Sequence, residues 1–191
     1  MARIAVILTP GFADWEYGLL GGTGRAFFGL DVQYFARAAG SFQSQGGLCV
    51  KVDQDFEALQ RFRPGCIAVI GGSIWETPHA PNITRLLQAL HEDGAAVAGI
   101  CGGTLALARA GLLDEVRHTS NDLPFLEGNA PHYKGAGHFD GAPHAQSRGG
   151  VITAPGTAPA SFTAAVFEAA GVTPEAVAQF RAMMAAEHGC G

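Results

Sequence analysis

The feature that most constrains this chain is a repeating pair of patterns, a short apolar run of strand length followed by a helical stretch. Strand-like runs occupy residues 4–8, 32–36, 66–70, 96–100 and 151–154. The runs at 4–8, 66–70 and 96–100 are almost continuously apolar, as strands buried on both faces are. Helical patterns fill 13–28, 56–62, 82–92, 104–110, 161–170 and 174–188. In the third of these, Ile83, Leu86, Leu87 and Leu90 recur at helical spacing. Residues 41–52 hold Gly46-Gly47 between extended residues and predict a hairpin excursion. This order predicts a single α/β domain over 1–191, a doubly wound, mostly parallel sheet with helices on both faces. Ligands in such folds sit at the carboxyl ends of the strands, so 10–18, 71–79 and 99–104 become the segments of interest.

Composition removes several classes of function. Hydrophobic residues make up 48% of the 191 and charged residues 15%, which excludes a disordered chain. The 12 Lys and Arg are dispersed among 17 Asp and Glu, for a net charge of −5. No basic stripe is present, so neither nucleic acid nor a membrane surface is an expected partner. The longest uncharged stretch, 149–167, is broken by Pro155, Gly156 and Pro159 and reads as strand, turn and helix rather than a membrane span. The first residues read as a strand and carry no address signal, so the expected location is the cytoplasm.

Cys49, Cys66, Cys101 and Cys190 form no CxxC pair, which points to free thiols. The His-rich stretch 114–150 holds His118, His132, His138 and His144. It reads as a surface excursion or as a wall over the strand ends. The six-residue spacing of the last three does not put them on one face. No metal and no cofactor is expected.

The strongest chemical signal is Val97-Ala98-Gly99-Ile100-Cys101-Gly102-Gly103-Thr104. A strand enters Cys101 and a helix leaves it, the geometry of a nucleophile elbow. Gly99, Gly102 and Gly103 remove Cβ atoms that would obstruct the turn. The elbow predicts a strained backbone at Cys101. A following helix N-terminus favours the thiolate. A buried structural cysteine at a strand end is the alternative.

Four segments in order carry a resemblance: Phe12-Ala13-Asp14-Trp15-Glu16, Val69-Ile70-Gly71-Gly72, Ala98-Gly99-Ile100-Cys101, and Val151-Ile152-Thr153-Ala154-Pro155-Gly156-Thr157. Together they resemble the ThiJ/PfpI superfamily, whose fold is flavodoxin-like and shared with the class I glutamine amidotransferases. The resemblance implies that Cys101 is the reactive cysteine and that Glu16 hydrogen-bonds to it and shuttles a proton. It implies further that the Gly72 and Gly102 N–H groups hold a substrate oxygen. The proton of the Cys101–Glu16 pair is expected to lie mainly on Glu16.

Departures narrow the expectation. The proteases of the superfamily carry His directly after the nucleophile, where this chain has Gly102. Glu76 matches an acidic residue of those proteases but lacks that His. The glyoxalase and deglycase branch carries a His where this chain has Asn121, with His118 three residues earlier. The late H-x-E of glutamine amidotransferases is replaced by Pro155-Gly156-Thr157. Peptidase and amidotransferase activity are therefore not expected. Trp15 and Trp75 each follow a strand, as pocket walls, as caps on the core, or as a subunit contact.

The resulting expectation is a Cys101-dependent hydrolase or lyase acting on a small molecule, of glyoxalase, deglycase or amidase type. The alternative classes are an oxidative-stress sensor with a reactive Cys101 and no turnover, and a partner-binding module. The resemblance also implies a homodimer, with Phe12, Trp15, Trp75 and the 71–80 loop near the contact.

Overall fold

The computed structural model describes residues 2–186. Cys190 and the last two residues of the predicted closing helix lie outside the described residues. Five parallel strands form the core of a six-stranded sheet. They are β1 (Arg3–Ile7), β2 (Asp31–Phe35), β5 (Cys66–Val69), β6 (Ala96–Ile100) and β8 (Val151–Ala154). The hairpin β3 (Gly40–Gln43) and β4 (Cys49–Val52) stands outside the sheet, and β7 (Gln146–Arg148) is an antiparallel edge on β8. The sheet order is β2-β1-β5-β6-β8-β7. The helices are α1 (Asp14–Phe28), α2 (Phe56–Phe62), α3 (Thr84–Glu92), α4 (Gly103–Arg109), α5 (Leu123–Asn129), α6 (Pro159–Ala169) and α7 (Pro174–Ala186).

Side-chain alternation explains why the strands read as unbroken apolar runs. On β1, Ile4 and Val6 enter one core with Leu20 of α1 and with Phe162 and Phe167 of α6. Ala5 and Ile7 enter the opposite core with Leu87 of α3 and with Leu105 and Leu107 of α4. Helices cover both faces, so the central strands are apolar on both, apart from Thr153 of β8, whose hydroxyl accepts from the Thr119 N–H. The doubly wound, flavodoxin-like expectation is met. Among the described residues no helix is long and apolar enough to cross a membrane.

The stretch 114–150 is more structured than its weak periodicity suggests. It contains α5, a 3-10 turn at Gly135–His138 and β7. The N-cap Asp122 starts α5 by accepting from the Phe125 N–H at 2.7 Å. His118 within it is buried and not a solvated imidazole.

Bare backbone decides how closely α4 approaches the sheet. A Cβ on Gly103 would lie 2.2 Å from the Val69 carbonyl oxygen, and one on Gly99 would lie 2.9 Å from the Gly103 oxygen. Gly103→Ala is therefore expected to lower the free energy of unfolding by about 2–4 kcal/mol, because backbone must move to admit the methyl. Gly128→Ala in α5, where a Cβ meets nothing within 4 Å, is expected to be neutral or stabilising. Urea denaturation midpoints of the two variants check the contrast.

Candidate active site

The site forms where three strand ends meet the start of α1. Cys101 follows β6 directly and adopts φ 53°, one of three non-glycine residues with positive φ among the described residues. Such a conformation costs about 1–3 kcal/mol and persists only when surrounding bonds over-determine it. Those bonds are present. The Cys101 N–H donates to the Ala154 carbonyl at 3.0 Å, which extends the β6–β8 ladder by one residue. The Cys101 carbonyl accepts from the Thr104 N–H at 3.1 Å and the Thr104 hydroxyl at 2.6 Å. That hydroxyl lies 2.7 Å from the Ser120 hydroxyl. The predicted strained elbow is what the structure has.

Glu16 occupies the first turn of α1 and is wholly buried. Its Oε2 accepts from the Gly71 N–H at 2.6 Å, while Oε1 has no hydrogen-bond partner. Gly71 and Gly156 make this approach feasible. A Cβ on Gly71 would lie 2.6 Å from Glu16 Oε2 and 2.8 Å from Cys101 Cβ. One on Gly156 would lie 3.0 Å from Cys101 Sγ and 3.4 Å from Glu16 Oε1. The carboxyl group and the thiol thus share one enclosure bounded by two glycines.

Asn121, not His118, reaches the sulfur. Asn121 Nδ2 donates to Sγ at 3.3 Å, and its Oδ1 accepts from the Gly156 N–H at 3.0 Å. His118 is turned into the 114–150 excursion. Its Nδ1 lies 2.7 Å from the Val116 carbonyl and its Nε2 lies 2.6 Å from the Tyr133 hydroxyl. A carbonyl only accepts, so Nδ1 carries the proton and Nε2 accepts from Tyr133. Burial lowers the His118 pKa and keeps the ring neutral. The candidate His118 is therefore a structural residue, because both ring nitrogens are committed away from Cys101.

Three further sequence candidates, Trp75, Phe12 and Glu76, fall elsewhere, while Trp15 stays at the rim of the site. Trp75 is buried, donates to the Ile70 carbonyl at 2.9 Å and packs under Gly102, so it caps the core and is no pocket wall. Phe12 is equally buried, which removes both side chains from any subunit contact. Glu76 is exposed and lines a separate depression with Arg109, Asn129 and His132. Trp15 is 51% exposed and donates to the Gly156 carbonyl at 2.9 Å.

Gly72 and Gly102 lie against one another. A Cβ on Gly102 would stand 2.9 Å from the Gly72 oxygen, 3.2 Å from its nitrogen and 3.2 Å from Trp75. Glycine at 102 leaves room for Gly72 and Trp75, and the same contact admits no imidazole after Cys101. Gly71, Gly156 and the Thr104–Ser120 pair were not singled out from the sequence as site residues. Gly156 stood inside a quoted motif, but nothing local marks it as touching a sulfur.

The charge balance differs from the sequence expectation. Burial first, then the charge of Glu16, push the Cys101 thiol up to about 11. The Asn121 amide and the Gly102 N–H pull it down without offsetting this. Burial raises Glu16 to about 7, opposed by the Gly71 N–H and the Cys101 thiol. Burial thus raises both groups, and the two titrate as one coupled pair. Cys66 is pushed up to about 12 by burial alone. Among the described residues no group of three or more His, Cys, Asp or Glu is placed to hold a metal.

A strained cysteine at a strand–helix turn, set beside a buried carboxylate in a mostly parallel sheet covered by helices, places the chain in the class I glutamine amidotransferase-like fold. Within that class the chain belongs to the DJ-1/PfpI family, whose pattern matches residues 2–169. It is 34% identical over 164 residues to the "uncharacterized protease YoaZ" of Bacillus subtilis (strain 168), covering 82% of this chain and 77% of that protein. A DJ-1 superfamily protein from Agrobacterium tumefaciens superposes with TM-score 0.91 at 36% identity, covering 98% of this chain and all of the other. A thiJ/pfpI family protein from Bacillus anthracis gives TM-score 0.84 at 27% identity, over 96% and 90% of the two chains.

The raised carboxyl pKa makes a stability prediction. A folded-state pKa of about 7 against an ordinary 4.5 means that the folded protein holds this proton more tightly than the unfolded chain. The contribution is complete below the ordinary value and is lost as pH rises through about 7. Relative to Glu16→Gln, the wild type should lose about 3 kcal/mol of unfolding free energy between pH 4.5 and 8. Chemical denaturation of both proteins across that range checks the difference.

Proposed function

We propose that the protein is a cysteine-dependent hydrolase or lyase acting on an electrophilic carbonyl or acyl carbon of a small molecule. The observation that carries this reading is the wholly buried Glu16 with an unpartnered Oε1 in the same enclosure as the strained Cys101. A purely structural buried carboxylate would have both oxygens satisfied by protein donors. One whose second oxygen has no protein N–H or O–H donor and lies beside a thiol is arranged to take the thiol proton.

For an acyl substrate the chemistry follows in balance. The thiol proton passes to the Glu16 carboxylate as sulfur bonds to carbon and the carbonyl electron pair moves to oxygen. The Gly72 and Gly102 N–H groups are the candidate donors to that oxygen, and among the described residues neither donates to a backbone carbonyl. Glu16 then protonates the leaving group as its bond to carbon breaks, leaving a thioester on Cys101. Water attacks the thioester and gives a proton to Glu16, the carbonyl re-forms as the C–S bond breaks, and Glu16 returns that proton to the departing sulfur, releasing the acid and the free thiol. Asn121 steadies the sulfur but has no titratable proton, so Glu16 carries the proton transfers alone.

Two neighbouring readings are less well supported. The B. subtilis relative is named a protease, but Gly102 here leaves Cys101 without an adjacent imidazole. A redox sensor reacts through a thiolate, whereas burial and the Glu16 charge both keep the resting Cys101 protonated at neutral pH.

Alkylation of Cys101 by iodoacetamide is expected to accelerate as pH rises through about 7, following ionisation of Glu16 as base. Glu16→Gln should lose that inflection and reduce turnover by about 10²–10⁴-fold, and Cys101→Ser should abolish turnover. Peptide-mapped alkylation rates between pH 5 and 9 check the first. Assays on glyoxals, small amides and isonitriles check the second. An inflection only above pH 8, unchanged in Glu16→Gln, would refute the base role.

A further inference from the structure

The mechanism makes no use of Trp15, and the position of this side chain is unusual. It precedes the buried Glu16 on α1, yet about half of it faces solvent. It is also pinned. The indole N–H donates to the Gly156 carbonyl at 2.9 Å, the Gly156 N–H donates to Asn121 Oδ1 at 3.0 Å, and Asn121 Nδ2 donates to Cys101 Sγ at 3.3 Å. Three consecutive hydrogen bonds therefore fix the indole relative to the sulfur.

The indole borders an open depression of about 720 Å³ with Asn121, Pro155, Gly156, Thr157 and Pro159. None of these side chains is charged. Ionised Glu16, behind the sulfur, opposes an approaching anion. Polar groups are scarce as well. The Asn121 amide gives one N–H to Sγ and its oxygen to the Gly156 N–H, so the side-chain hydrogen-bonding capacity left to the wall is the second Asn121 N–H and the Thr157 hydroxyl. A substrate bearing several hydroxyls would leave most of them unpaired on binding. By contrast, two prolines and a tethered indole lose little freedom when a ligand covers them, and a flat apolar ligand gains most from such a surface.

We infer that Trp15 determines specificity, and that the substrate carries an uncharged aryl group beside its reactive carbon, which rests on the indole while that carbon meets Cys101. This inference depends on Cys101 being the nucleophile, so its test must separate the two.

Haloacetyl reagents do so without knowledge of the substrate. Second-order rates of Cys101 modification are measured for iodoacetamide, N-phenyl iodoacetamide, iodoacetate and a trimethylammonioethyl iodoacetamide. Each rate is normalised to the rate with glutathione and assigned by peptide mapping, because exposed Cys49 also reacts. The phenyl reagent is expected to exceed iodoacetamide by about three- to tenfold, the increment of one aromatic contact. Iodoacetate should be the slowest. Trp15→Phe should keep most of the phenyl preference, and Trp15→Ala should bring it near unity. Phe27→Ala, at an exposed position near the far end of α1, should leave the preference unchanged. A phenyl reagent no faster than iodoacetamide, a cationic reagent fastest of all, or a preference that survives Trp15→Ala overturns the inference. So does a dimer in sedimentation that Trp15→Ala dissociates while the ratios stay constant. Failure of every reagent at Cys101 removes the nucleophile together with the wall, whereas uniform modification without preference removes only the wall.

Discussion

The structure depends on the close approach of two turns that carry no side chains. Gly71-Gly72 leaves β5 and Gly102-Gly103 enters α4, and they meet at distances that no Cβ could occupy. That contact brings the end of β6 within reach of the first turn of α1, although Glu16 and Cys101 are far apart in the chain. Each glycine costs conformational entropy of about 0.5–1 kcal/mol relative to alanine. Burial of apolar side chains on both faces of the sheet offsets the loss, at about 1.5–3 kcal/mol for each large residue. The packed cores thus stabilise a site whose own backbone is strained.

The same packing sets the chemistry. Burial raises both acids of the pair, and one N–H from Gly71 is too little to return Glu16 to an ordinary carboxylate. The result is a carboxyl group that titrates near neutrality beside a thiol that does not. Under the proposed mechanism such a pair holds its base ready, and the sulfur is activated only as it attacks.

The 114–150 excursion completes the enclosure by being anchored at several points. The Thr119 N–H donates to the Thr153 hydroxyl at 2.9 Å, and the Thr119 hydroxyl donates to the Ala142 carbonyl at 2.8 Å. Ser120 meets Thr104, and His118 locks onto Tyr133. These anchors present Asn121 to the sulfur. An amide there orients the thiol and Gly156 at once, but it leaves the neighbourhood of Cys101 with Glu16 as its proton acceptor.

Much of this was legible in the amino-acid sequence, and the legible part is local. The strand-length apolar runs, the helical periodicity of 82–92, the Gly46-Gly47 hairpin and the elbow at Cys101 all follow from interactions within a few residues. Period, chirality and glycine's access to positive φ act at that range. Glu16 was identified by resemblance and not by local pattern. Which of two tryptophans is buried, which of His118 and Asn121 meets the sulfur, and whether the thiol is acidic or basic were settled only by the tertiary structure. Each depends on what neighbouring elements place around the group. Trp75 falls under Gly102 because α4 packs against the 3-10 turn at Ser73–Glu76, and Trp15 stays outside because Gly156 holds its indole at the rim. The helix dipole read from the sequence favours a thiolate, whereas burial and the adjacent carboxylate push the thiol pKa up, and both of these depend on distance through space and not on position along the chain.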